Sequence, residues 1–150
     1  MKLRLTAFTA IAMLLCTTVY GQMRDPNDPV TEEMVREIAA TAKEPDLVMH
    51  NSTLTQEGYL YFAEILADRL LEVNPQNPNY HYRKGFLMLE IRKDYVGAIP
   101  HFQLAIQDVD HNFDMYSHKE TSSPPDAYYH LAYCYHLNEE IDKAIENYEQ

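Results

Sequence analysis

Apolar residues recur at helical spacing along the chain from Val30 onward. Between Val30 and Ala42 they fall about every 3.6 positions, which is the period of one face of an α-helix. Glu32 and Glu33 stand in the first turn of this segment, where negative charge stabilises a helix. The pattern therefore predicts a helix that begins near Val30.

Five later segments show the same period. They predict helices over about residues 56–73, 79–91, 96–109 and 124–137, and a last one that starts near residue 140. Pro45 interrupts the pattern, so Lys43–Thr53 is predicted to be a connection, and residues 22–55 to hold one helix and a linker. No stretch alternates apolar and polar residues over enough positions for a strand. We therefore expect an all-α fold of antiparallel helix pairs.

A long connection, Asp110–Ser123, separates two of these predicted helices. Links between stacked helices are usually shorter, so this insert is expected to be either a functional or a mobile loop. Its side chains Phe113, Met115 and Tyr116 make it a second candidate contact surface. Ser123 is placed to cap the next helix, with Pro124 in its first turn.

The first 21 residues have the pattern of a secretory signal peptide. Lys2 and Arg4 precede an apolar run of about eleven residues, and a short segment with small residues at the cleavage position ends at Gly21. About twenty apolar residues are needed to span a bilayer, so we expect cleavage after Gly21 rather than a permanent anchor. A lipoprotein acylated at Cys16 is the alternative, which the bulky Leu15 before it disfavours.

Charge and cysteine content limit the classes of partner. The formal net charge is −11. Removal of the leader would take away the two cations Lys2 and Arg4 and so make the chain more negative. Such a surface repels nucleic acid and anionic lipid. The composition, 46% hydrophobic and 23% charged, is that of a globular protein. Without Cys16 only Cys134 remains, so no internal disulfide is expected.

A repeated spacing of small and aromatic residues runs through the second half of the chain. In the last copy, the positions predicted to face the paired helix are Tyr128, Leu131, Ala132, Tyr135, Ala144 and Tyr148. A middle copy places Gly85, Ala98, Phe102 and Ala105 in the same register, and a partial first copy places Ala63, Ala67 and Leu70. Ala63 and Ala98 are 35 residues apart, close to the ~34-residue unit of tetratricopeptide repeats. Ala98 and Ala144 are 46 apart because of the insert.

These positions resemble the tetratricopeptide repeat family over roughly residues 56–150. The phrases NYHYRKGFLMLEIRKDYVGAIPHFQLAI and PPDAYYHLAYCYHLNEEIDKAIENYEQ are similar to the N-terminal region of exported Bacteroidetes proteins. Those proteins continue into a PD40-type β-propeller and an OmpA-like peptidoglycan-binding domain, and some are associated with type IX secretion. The resemblance implies an α-α solenoid of about two and a half to three repeats at the front of a longer envelope protein. Peptidoglycan would then be bound only through a domain that this chain lacks.

Residue types that carry chemistry are present without the spacing that chemistry needs. His130 and His136 are six apart, which places them on different sides of a helix, and no paired Cys or H-x-x-x-H motif occurs. Cys134 lies between two tyrosines in a helix and lacks a Cys/His signature. Gly58, Gly85 and Gly97 form no phosphate loop. We expect no catalytic residue, no metal and no cofactor.

Binding of a protein segment is the remaining class of function. The resemblance implies a concave groove lined by one face of the first helix of each repeat. Carried over residue by residue, the candidate groove consists of Asn79, Tyr82, Phe86, Leu89, Glu90, Asp126, Tyr129, Tyr133 and His136. Tyrosine offers large contact area at low entropic cost, which favours an interface, although packing between repeats would use the same residue types.

These inferences lead to two hypotheses. The first is a non-catalytic adaptor, exported to the periplasm or outer membrane, that holds a protein segment in its groove. The second is a structural spacer of a peptidoglycan-anchored OmpA-like protein, without a ligand of its own. In the second, the groove is unoccupied or filled by a downstream domain of the same protein.

Overall fold

The computed structural model of the protein describes residues 30–150, and the predicted leader with its cleavage site and Cys16 lies outside them. Within this range the chain is all-α, as predicted, and contains no strand. The seven helices that it forms are α1 Glu32–Thr41, α2 Glu44–Gln56, α3 Leu60–Val73, α4 Pro78–Arg92, α5 Tyr95–Ala105, α6 Asp126–Leu137 and α7 Ile141–Tyr148.

Local side chains set where the helices begin and end. The Oδ1 atom of Asn77 accepts a hydrogen bond from the amide of Asn79 at 2.9 Å and so caps α4. Asp94 caps α5 in the same way by accepting from the amide of Gly97 at 2.9 Å. Gly58, with φ of 81°, reverses the chain after α2, and a side chain at this φ would be strained. The α3 helix therefore starts four residues later than the periodicity predicts.

The expected connection between residues 43 and 53 is instead a helix, α2, so that prediction was wrong. Pro45 lies in its first turn, where a missing backbone N–H costs no intrahelical bond. Leu47, Val48 and Leu54 point from this helix into the core and are fully buried. Proline here begins a helix rather than breaking one.

Helices α2 to α7 each pack mainly against their neighbours in chain order, whereas α1 packs against α3. Contacts between α4 and α5 run in opposite directions along the chain: Met88 lies beside Gly97, and Gly85 lies beside Phe102. One hydrophobic core joins α1 to α4, and a second joins α4 to α7. None of the helices between residues 30 and 150 is long and apolar enough to cross a membrane.

The small residues of the repeated spacing are buried at helix contacts. A Cβ atom on Gly85 would lie 3.0 Å from the Phe102 ring, so α4 and α5 approach each other there as closely as a glycine allows. The other small positions, Ala63, Ala67, Ala98, Ala105, Ala132 and Ala144, are also buried. Tyr148 differs from its expected packing role, because 45% of it is exposed and its ring lies beside Tyr129 at 5.9 Å between centroids.

The insert is ordered, and its two ends are joined to each other. The amide of Asp110 donates to the carbonyl of Ser123 at 2.9 Å, and the amide of Ser123 donates to the carbonyl of Asp108 at 2.8 Å. The Ser123 hydroxyl donates to the carbonyl of Ala105 at 2.8 Å, at the end of α5. The prediction that Ser123 caps the next helix was therefore wrong, and α6 begins after Pro125 without a side-chain cap.

Candidate functional site

The insert folds back over α2 and α4. The amide and side-chain nitrogen of Asn79 donate to the carbonyls of Thr121 (3.2 Å) and Glu120 (3.0 Å). The carbonyl of Met115 accepts a hydrogen bond from the hydroxyl of Ser52 on α2. The Tyr116 hydroxyl donates a hydrogen bond to the side-chain oxygen of Gln56, also on α2. The insert therefore covers the start of the surface that the candidate groove would use.

Arg83 is the centre of this arrangement. It is 6% exposed, and its Nε donates to Asn79 Oδ1 at 2.8 Å. Its Nη1 donates to Asn51 Oδ1 at 2.7 Å and to the Ser52 hydroxyl at 2.8 Å, and its Nη2 donates to the carbonyl of Met115. Four hydrogen bonds from one side chain thus connect α2, α4 and the insert.

All the atoms that accept from Arg83 are electrically neutral. No carboxylate between residues 30 and 150 makes an ion pair with it, although Asp114 acts on it from a distance. Burial lowers the pKa of Arg83 to about 10, so the guanidinium still carries its charge at neutral pH. The protein therefore holds a desolvated positive charge that no contacting anion neutralises.

A cavity of about 320 Å³ lies between the insert, α2, α4 and the start of α6. Its lining combines aromatic and apolar side chains with a few polar ones: Asn51, Thr55, Tyr82, Arg83, Phe86, Phe113, Met115, Pro124 and Asp126. Burial raises the pKa of Tyr82 to about 12, so its hydroxyl stays protonated. Asp126, in contrast, is exposed, at the start of α6.

His130 completes a cluster of aromatic rings next to this cavity, and two of these rings, Tyr82 and Phe86, also line the cavity. Its ring centroid lies 6.0 Å from that of Tyr82, 5.7 Å from Phe86 and 5.4 Å from Phe102. Burial lowers the pKa of His130, which keeps the imidazole neutral at neutral pH. The histidine is therefore an aromatic packing residue between α4, α5 and α6.

Four tyrosines form a surface next to this cluster, which we call the tyrosine face: Tyr95, which is half-buried, and the exposed Tyr129, Tyr133 and Tyr148. The rings of Tyr129 and Tyr133 are nearly parallel, at an angle of 7° and 6.3 Å between centroids. Tyr95 meets Tyr133 edge-on at 6.0 Å. Tyr129 is 56% exposed and Tyr133 36% exposed. These ring contacts limit the side-chain motion of a surface that faces solvent.

The structure distributes the nine candidate groove residues over three environments. Asn79 and Leu89 are buried, the first beneath the insert and the second in the core, so they offer a partner no surface. Tyr82, Phe86 and Asp126 line the cavity. The remaining four are exposed on α4 and α6: Glu90, Tyr129, Tyr133 and His136.

The cavity also uses residues that the sequence did not single out. Asn51 belongs to the segment that was expected to be a connection, Thr55 follows it at the end of the predicted linker, and Arg83 lies one helical turn after Asn79. That spacing places Asn79 and Arg83 on one face of α4, which is the only sequence signal that points to them. Their contact with the insert depends on a fold-back that no local pattern specifies.

The other groups with potential reactivity are sequestered. Cys134 is buried, and burial raises the pKa of its thiol to about 12, so the nucleophilic thiolate is not populated at neutral pH. Among residues 30–150, no group of three or more His, Cys, Asp or Glu side chains is arranged to hold a metal ion.

His81 on α4 is buried and His101 on α5 is half-buried, and their Nδ1 atoms lie 2.9 Å apart. The carbonyl of Pro75, 2.9 Å from Nε2 of His81, can only accept, so His81 donates there. Burial, with His81 and Lys84 nearby, lowers the pKa of His101 to about 4. The His101 ring is therefore neutral in the folded protein at neutral pH.

Acid should destabilise the fold through this pair. The unfolded chain binds a proton at His101 near pH 6.5, whereas the folded protein does so only near pH 4. The stabilisation is thus complete above pH 6.5 and is lost as the pH falls to 4, by about 2 to 3 kcal/mol. Urea unfolding at several pH values would measure it, with His101→Gln as the comparison, because carboxylates titrate equally in both proteins. Parallel profiles for the two proteins would contradict the expectation.

Comparison of the chain with protein-family models, with curated proteins and with solved structures finds no match.

Proposed function

We propose that the protein is a non-catalytic adaptor that binds a protein partner through the tyrosine face. The observation that carries the proposal is the exposed, parallel pair Tyr129 and Tyr133 on one side of α6. Clustered, partly immobilised tyrosines bind partners well because they bury large area and lose little side-chain entropy. Exposed His136, one turn after Tyr133 on α6, and exposed Glu90 on α4 are the polar groups available for contacts with the partner.

The scaffold in this proposal is a tetratricopeptide-type solenoid of two and a half to three repeats. Burial of the small positions Gly85, Ala98 and Ala132 supports it, since these are the sites where paired helices of such repeats approach closely. The binding surface is narrower than the full groove, because the insert already covers Asn79 and its surroundings. The partner would therefore contact α6 and the end of α4.

Export belongs to the same proposal. We infer a periplasmic or outer-membrane-associated protein, because residues 1–21 have the pattern of a signal peptide. Its place would be the N-terminal part of a larger envelope protein of the group that the chain resembles. The protonated, buried thiol of Cys134 is in keeping with a non-catalytic role.

A structural spacer without a ligand is the second candidate. One observation favours it: the insert fills part of the concave surface with the protein's own chain, through Asn79, Arg83 and Gln56. In that case the tyrosine face would be the contact to a neighbouring domain of the same protein. The two candidates differ in whether a separate protein is recovered with the tyrosine face.

The double variant Tyr129→Ala/Tyr133→Ala tests the adaptor proposal. Loss of two central aromatic contacts costs about 1 to 2 kcal/mol each, so recovery of a partner from a cross-linked envelope extract should fall about tenfold or more. Tyr61→Ala is the matched control, because Tyr61 is 53% exposed on α3. Equal recovery with the folded double variant, verified by circular dichroism, would exclude the tyrosine face as the binding surface.

A further inference from the structure

We propose that the cavity beneath the insert binds a small monocarboxylic acid with an apolar, preferably aromatic, body. This site is separate from the tyrosine face, and the proposal does not depend on the adaptor function. Its basis is the combination of an unneutralised buried cation with apolar walls in one cavity.

The cation is Arg83. A guanidinium has five N–H donors, and four are used by Asn79, Asn51, Ser52 and the carbonyl of Met115. One N–H on Nη2 is left, on a side chain that lines the cavity. Buried charges are normally paired with an opposite charge, and the carboxylate is the anion whose geometry matches a guanidinium. A ligand carboxylate would supply the missing charge.

The walls determine the rest of the ligand. The aromatic residues Tyr82, Phe86 and Phe113 line the cavity together with Met115. Apolar pockets with a few polar groups are typical of small-molecule sites, and their volumes begin at roughly 300 Å³. The cavity of about 320 Å³ therefore accepts a compact body of about ten non-hydrogen atoms rather than a long chain.

Asp126 limits the charge of the ligand. Its exposed carboxylate lines the same cavity, and the chain as a whole has a formal charge of −11. A second negative charge on the ligand would meet repulsion from Asp126 without a further cation to offset it. A single carboxylate close to Arg83, with an uncharged body, satisfies both constraints.

Three probes with one common body test this assignment: 3-phenylpropionate, 3-phenylpropionamide and 3-phenylpropylammonium. Titration of the full chain by calorimetry and by NMR of the Arg83 Nε–H should show the acid binding at least tenfold more tightly than the amide. The ammonium should not bind measurably. Equal affinity for acid and amide, no binding of any probe, or tighter binding of the ammonium would overturn the proposal.

Variants test where the ligand binds and whether the charge of Asp126 opposes its binding. Asp126→Asn should tighten acid binding two- to fivefold, because it removes a like charge from the cavity lining while Arg83 stays in place. Asp142→Asn is the charge-matched control on α7, which does not line the cavity, and it should leave the affinity unchanged. Thr55→Leu should abolish binding by filling the cavity. Unchanged binding in Thr55→Leu, or weaker binding in Asp126→Asn, would contradict the site.

Discussion

Replacing Arg83 with methionine should lower the free energy of unfolding by about 1 to 3 kcal/mol. Methionine fills a similar volume but donates no hydrogen bond, so Asn51, Asn79 and Met115 lose the donor that their oxygens share. A buried acceptor left without a partner carries its full desolvation cost. Urea unfolding followed by circular dichroism would measure the change.

The same substitution should release the insert. Without Arg83 the carbonyl of Met115 keeps only its contact with Ser52. Limited proteolysis within residues 110–123 should therefore become much faster in Arg83→Met than in the parent protein. Arg36→Met is the control, since the Arg36–Glu32 pair at 2.7 Å lies in solvent and contributes little to stability. An Arg83 variant as stable as the Arg36 variant would mean that the four hydrogen bonds contribute little.

Replacing Ala132 with arginine should unfold the last helix pair. Ala132 is completely buried on α6, a helix that packs against α5 on one side and α7 on the other. A long cationic side chain has no space and no counter-ion there, and a buried unpaired charge costs more than about 3 kcal/mol. Helical ellipticity should fall by the share that α6 and α7 contribute, and the melting temperature should drop.

His136→Arg is the matched control for this experiment. It places the same side chain on the same helix at an exposed position, one turn after Ala132. Its stability should stay within about 0.5 kcal/mol of the parent. A native melting curve for Ala132→Arg would refute the register in which residues 85 and 132 occupy equivalent positions between paired helices.

Helix positions and the small buried residues could be predicted because they follow from a local period. Apolar residues about 3.6 positions apart mark one helix face, and Gly85, Ala98 and Phe102 recur in a register that brings two faces together. The exception is α2, which contains Pro45, because proline has opposite effects at different positions of a helix. Proline breaks a helix interior but fits a first turn, and only the burial of Leu47 and Val48 distinguishes the two cases.

The candidate site was less predictable because it is made by contacts between distant residues. Asn79 was assigned to an open groove, yet its side chain holds the insert through the carbonyl of Glu120. Where a 14-residue connection lies depends on hydrogen bonds to α2 and α4, not on its own sequence pattern. Tyr129 and Tyr133 are exposed, whereas the sequence left open whether they line a groove or pack between repeats.

The insert also has a consequence for how force or heat would take the molecule apart. A stack in which every helix contacts only its neighbours can lose one end while the remainder stays folded. Here Ser52 bonds to Met115 and Gln56 to Tyr116, across sequence separations of 63 and 60 residues. These hydrogen bonds connect α2 directly to the insert, without passing through the helices between them. They therefore couple the front of the stack to the segment before α6. Pulling on the two ends should therefore produce one cooperative rupture between α2 and the insert instead of stepwise unzipping.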